Sequence, residues 1–163
     1  MTADNEKDMI NQTCCFTGHR IVEKEDLTIV NQNLYETVNR LADEGYIYFG
    51  AGGALGFDAL AAKAVISLKK KNKKARLILV LPCKNQDKYW SAADKAEYEY
   101  IKKNADKIIY TSEIYYSGCM HRRNRHLVEN SSVCVAYVKK PRGGAAYTVC
   151  YAKKLGKRVI FVC

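Results

Sequence analysis

The chain has 163 residues, 48% apolar and 27% charged, a balance that fits one globular domain and excludes a disordered tail or a fibre. No apolar run approaches the roughly 18 residues that a membrane-spanning helix needs, and the polar, acidic first dozen residues lack the basic-then-apolar order of a signal peptide. The net charge of +10 is unevenly placed. Residues 114–163 hold ten Lys and Arg against one acid, Glu129, so an anionic partner is expected in the last third. No membrane partner is expected, and the cytoplasm is the expected setting.

Residues 1–12 read as a flexible N-terminal segment and 13–163 as a single domain. The run TCCFT at 13–17 reads as a first strand. Further short apolar runs follow at 47–50, 76–81, 107–110, 133–138 and 158–162. These runs are apolar throughout, as in strands covered on both faces. Between the first two, Leu27, Val30, Leu34, Val38 and Leu41 recur at three- and four-residue steps, which predicts an amphipathic helix over 25–43 stopped by Gly45. Helices are likewise predicted over 57–68, 92–104, 120–130 and 145–155, the last closed by Gly156. This alternation predicts an α/β fold: a single Rossmann-like, doubly wound, mostly parallel sheet of about six strands with helices on both faces.

The seven cysteines are odd in number and form no C-x-x-C pair. Cys14, Cys15, Cys134 and Cys163 sit in apolar runs and are expected to be buried small hydrophobes. Cys119, His121 and His126 fit no ligand spacing, so no metal is expected. In a parallel sheet, ligands bind beyond the carboxyl ends of the strands, and four loops there carry unusual residues. After the first strand come Thr17, Gly18, His19 and Arg20: a turn glycine, a hydroxyl and a guanidinium suited to phosphate. After the second, Gly52, Gly53 and Gly56 stand where backbone amides can cradle a phosphate at a helix start, in neither the Rossmann nor the Walker spacing. Asp58 follows, either as an acid that favours the helix dipole or as a partner for a ribose hydroxyl. After the third, Gln86 suits a base edge or sugar, and Trp90 either stacks on a ring or packs in the core. The fourth constellation joins Arg122, Arg123, Asn124 and Arg125, which open a helix against its dipole, to Gly143 and Gly144 with Tyr147 and Thr148 behind them.

The order TGHR, GGALGFD, MHRRN and GG-x-x-Y-T resembles the SLOG superfamily of Rossmann-like proteins. That superfamily includes the LOG-type phosphoribohydrolases and the DprA DNA-processing proteins. The P-x-x-x-Q-x-x-x-W stretch at Pro82, Gln86 and Trp90 looks most like its YpsA-like branch. The resemblance implies a nucleotide-type ligand over Gly18, Gly52, Gly53, Gly56, Arg123, Gly143 and Gly144. Met120, His121 and Arg123 match the phosphoribohydrolase motif, and Asn124 replaces its lysine. Cys150 or Tyr151 falls where that motif carries its catalytic glutamate. Neither is a carboxylate, so a binding role is expected to outrank N-glycosidic hydrolysis. Asp58 and Arg123 are the candidate catalytic residues if a reaction occurs, with Glu129 as another possible stand-in carboxylate.

The leading expectation is therefore a sensor or regulatory protein that binds a nucleotide or nucleotide-sugar such as ADP-ribose, NAD or AMP, with no cofactor required. LOG-type hydrolysis is the first alternative. Single-stranded DNA binding through the basic last third is the second. A homodimer is implied by the resemblance alone.

Overall fold

The structure is a computed structural model and describes residues 3–163. Six strands, β1 (Thr13–Gly18), β2 (Tyr48–Ala51), β3 (Arg76–Leu81), β4 (Lys107–Tyr110), β5 (Val133–Tyr137) and β6 (Arg158–Phe161), form one sheet. Their order is β4-β3-β2-β1-β5-β6 and every pairing is parallel. The chain winds outward from β1 to β4, then returns past β1 to lay down β5 and β6. Its direction therefore reverses between β1 and β5, which in register pair Cys15 with Cys134 and Gly18 with Tyr137.

Right-handed crossovers put the helices of the two directions on opposite faces. Helices α2 (Leu27–Asp43), α3 (Phe57–Lys71) and α4 (Ala92–Asn104) pack on one face, and α5 (Cys119–Glu129) and α6 (Gly144–Lys154) on the other. The larger core joins Val30, Leu34, Val38 and Leu41 of α2 to Leu77, Leu79 and Leu81 of β3. Alternate residues of the same strand point the other way, and Val80 packs with Cys15, Leu127, Val128 and Cys134 beneath α5 and α6.

Some expectations need correction. The strands are not all covered on both faces: β4 and β6 are edges whose end residues are exposed. On the second face α5 and α6 do not cover the whole sheet. They leave a groove of about 500 Å³ beside β2, β3 and β4, lined in part by Met9, Ile10, Ile78, Ile109 and Leu127. Residues 3–11 of the N-terminal segment form helix α1 (Ala3–Asn11), which buries no residue and adjoins that groove. Cys163 is exposed at the chain end, unlike Cys14, Cys15 and Cys134. No helix of the described residues is long and apolar enough to cross a membrane.

Candidate functional site

A cleft of about 340 Å³ opens at the carboxyl ends of β1 and β5, where the sheet reverses direction. Thr17, Gly18, His19 and Arg20 line it from the end of β1, Ala54 and Asp58 from the start of α3. Met120, His121, Arg123 and Asn124 of α5 and Gly144 and Ala145 of α6 complete it. Three helices thus present their first turns to one space. Each begins after a glycine, Gly56, Gly118 or Gly143, that makes no side-chain cap. Helix α4, which does not reach the cleft, is instead capped by Ser91, whose hydroxyl accepts from the Asp94 amide at 3.1 Å. Amides without a side-chain cap at a positive helix end suit an anion, and those of α5 and α6 converge here beside the start of α3.

Arg123 is the one arginine of the chain that is buried, at 4% exposure, and Asp58 beside it is 6% exposed. The Arg123 guanidinium donates to the Gly52 carbonyl, and its Nε donates to Asn124 Oδ1 at 2.8 Å. Asp58 Oδ2 accepts from the Ala54 amide at 3.3 Å. Burial raises the Asp58 carboxyl above its ordinary range, while the Arg123 charge and the Ala54 amide pull it down. A Cβ at Gly52 would stand 2.7 Å from both the Arg123 guanidinium and Asp58 Oδ2. A side chain there would therefore drive between the two charges.

The first loop is fixed by its backbone and by one ring. The His19 carbonyl accepts from the Phe57 amide at 3.1 Å and so closes the start of α3. His19 Nε2 accepts from the amides of Lys139 and Lys140, at 2.9 and 3.2 Å, where the chain leaves β5. An imidazole holding two amide donors on Nε2 is neutral and carries its proton on Nδ1. Burial lowers its pKa further, helped by Lys140 and opposed by Glu23.

Several other candidates lie elsewhere. Gln86 Nε2 donates to Tyr98 Oη at 2.8 Å and to the Gly53 carbonyl at 3.4 Å, behind the glycine loop. Trp90 packs against Tyr98 with ring centroids 5.1 Å apart, at the edge of the larger core. Thr148 Oγ1 donates to the Gly144 carbonyl at 2.7 Å within α6. Arg122 points outward, with Nη1 3.5 Å from Tyr116 Oη, and lines a separate hollow with Arg125, His126 and Glu129. Glu129 accepts from Tyr151 Oη at 2.6 Å, and Cys150 is exposed on α6. Neither residue at the glutamate position, nor Glu129, lines the cleft, which leaves Asp58 as its one carboxylate.

Ala54, Met120, His121 and Ala145 also line the cleft, beyond the residues expected to bind. For His121 the signal was the M-H-x-R match; for Ala145 it was its place directly after Gly-Gly. Among the described residues, no three His, Cys, Asp or Glu side chains gather as metal ligands.

Comparison with known proteins agrees with this architecture. The model of the YspA SLOG family matches residues 14–159. The uncharacterized SPbeta prophage-derived protein YoqJ of Bacillus subtilis (strain 168) is 32% identical over 126 residues, 70% of this chain and 74% of that protein. Among solved structures, DNA processing protein A from Streptococcus pneumoniae is similar with a TM-score of 0.66 at 19% identity, covering 98% of this chain and 52% of that one. This chain therefore spans about half the length of that protein. The DNA processing protein A from Helicobacter pylori, described for its single-stranded DNA binding mode, gives a TM-score of 0.65 at 20% identity over 96% of this chain and 67% of that one. At these identities the structural likenesses show the fold.

Proposed function

The chain belongs to the YspA SLOG family, and on that footing we propose that it binds a phosphorylated nucleoside or nucleotide-sugar, of the AMP, ADP-ribose or NAD type, as a sensor or regulatory module. The observation that carries this reading is the convergence of three glycine-started helices and the buried Arg123 on one cleft. Its volume lies within the range of about 300–1,000 Å³ usual for small-molecule sites. The phosphate belongs against Arg123, Arg20 and the amides that open α6, where dipole and charge both favour an anion. Hydrolysis is the weaker reading because glycosidic cleavage asks a carboxylate to stabilise the ribosyl cation or activate water. Asp58, the one carboxylate of the cleft, is already engaged by the Ala54 amide and faces Arg123.

The test is thermal stabilisation and calorimetry with AMP, ADP-ribose, NAD, ribose 5-phosphate and inorganic phosphate. A ligand at 100 times its dissociation constant adds about 2.7 kcal/mol of stability. Arg20→Ala, on an exposed loop, is expected to weaken binding about tenfold or more without unfolding the chain, as loss of one charge-assisted hydrogen bond requires. Incubation of bound nucleotide is expected to release no free base. Failure of every phosphate compound to stabilise the protein at millimolar concentration defeats the binding reading. Base release lost in Asp58→Asn restores the hydrolytic one.

A further inference from the structure

The phosphate-compatible elements of the cleft account for an anion but not for the aromatic residues that lead away from His121 in its wall. Helices α5 and α6 lie side by side, and their seam carries a ladder of rings that begins at the cleft wall. His121, which lines the cleft, meets Tyr147 edge to face, with ring centroids 5.1 Å apart and planes at 77°. Tyr147 in turn lies parallel to Tyr151, one helical turn on, at 6.4 Å and 3°. The outer ring has a structural task, because Tyr151 Oη donates to Glu129 and ties α6 to α5. Tyr147 is different. It stands three residues after Gly144 of the cleft wall and keeps 44% of its surface exposed despite both ring contacts. A tyrosine that served only to pack the two helices would turn its ring into the seam.

We infer that the ligand of the cleft carries an aromatic base, and that Tyr147, steadied by His121 and Tyr151, is the platform on which that base stacks. The inference rests on the binding reading above and adds to it the residue that holds the base. Ring faces are apolar and weakly hydrated, so a planar base covering Tyr147 removes apolar surface from water at little cost in conformational entropy. Tyr147 contacts no phosphate in this arrangement, so its contribution is confined to the base. Arg20 and Arg123 contribute to every phosphorylated ligand alike.

The experiment compares AMP, CMP and ribose 5-phosphate on the full chain and on Tyr147→Ala, Tyr147→Phe and Arg20→Ala by calorimetry. Proton NMR of the bound base supplies a second readout. The unsubstituted protein is expected to prefer the nucleotides over ribose 5-phosphate. Tyr147→Ala is expected to weaken a nucleotide between about 5-fold and 150-fold, the range for one base–aromatic stack, and to leave ribose 5-phosphate unchanged. Tyr147→Phe retains the affinity, and the upfield ring-current shift of the base protons disappears only in the alanine variant. Arg20→Ala weakens all three ligands together. Equal binding of ribose 5-phosphate and the nucleotides, or an equal loss for both in Tyr147→Ala, overturns the platform while leaving the phosphate site standing. Absence of binding by all three compounds overturns both.

Discussion

Gly56 shows how little freedom single residues have in this site. It holds φ at +75°, and a Cβ there would lie 2.1 Å from the Arg20 carbonyl oxygen, a backbone atom of the neighbouring loop that cannot step aside. Gly56→Ala is therefore expected to cost at least about 2 kcal/mol, since left-handed strain and overpacking each contribute about 1–3 kcal/mol. Urea unfolding reads the loss directly as a lower midpoint at unchanged slope. The sequence suggests a ligand loop for these glycines, and what the fold shows of Gly56 is packing: it lets the loops after β1 and β2 close on one another. Gln86 and Trp90 illustrate the opposite limit. An amide and an indole suit a base, a sugar or a neighbour equally well, and only the fold reveals that Tyr98 takes both. The arginine cluster drew attention to the start of α5, and the fold brings Arg123 of that cluster to the cleft. The cluster alone could not say which of Arg122, Arg123 and Arg125 faces inward, because that depends on the rotation of α5.

At the scale of elements, most helices and strands were legible to within a residue or two from their apolar patterns, with α3 running three residues past its predicted end. Gly45 and Gly156 close α2 and α6 at positive φ, and the apolar periodicity of Val30, Leu34, Val38 and Leu41 matches the buried face of α2. Helix α1 was not legible, since nine mostly polar residues with Met9 and Ile10 as their only large apolar side chains are too short a stretch to announce a helix. Contacts between loops were equally hidden, and the most consequential is His19 against the end of β5. Its Nε2 accepts two amides only while unprotonated, and burial lowers its pKa below the free value of about 6.5. Both folded and unfolded chains hold it neutral at high pH. As the pH falls through about 6.5 the unfolded chain takes up the proton first, so the His19 contribution is present above that value and is lost below it, down to the folded pKa. An imidazole NMR titration is expected to give His19 a midpoint below 6.5, with the Lys139 and Lys140 amide shifts following the same curve. His19→Gln keeps an acceptor for those amides and removes their pH response. Amides indifferent to the His19 titration would contradict the assignment.

For the whole molecule, the strand order places the cleft, and no single segment encodes it. Alternating strands and helices announce a parallel sheet, but the reversal beside β1 follows from α5 carrying the chain back across the sheet. The charge distribution is also a whole-molecule property, and it supports two kinds of partner with different salt laws. Part of the +9 held by residues 114–163 is already engaged: Lys139 pairs with Asp26, Arg158 with Glu44, and Lys153 lies over the Phe161 ring. Arg123, which lines the cleft, is buried and therefore screened less than the rim arginines and lysines. If the anionic partner is a nucleotide held in the cleft, at most two phosphate charges are neutralised. AMP has no condensed counterions to release, so raising salt from about 50 to 200 mM weakens it only through screening of those charges. A single strand laid across the basic surface, touching about six phosphates, loses about 300-fold over the same change. The cleft reading predicts the shallow dependence for AMP, together with an oligonucleotide affinity that becomes negligible at 200 mM and is insensitive to Tyr147→Ala. A calorimetric salt series with AMP and a short single-stranded DNA separates the two. Steep loss for the DNA combined with displacement of bound AMP would instead mean that the strand threads the cleft, and that the basic last third and the phosphate site are one surface.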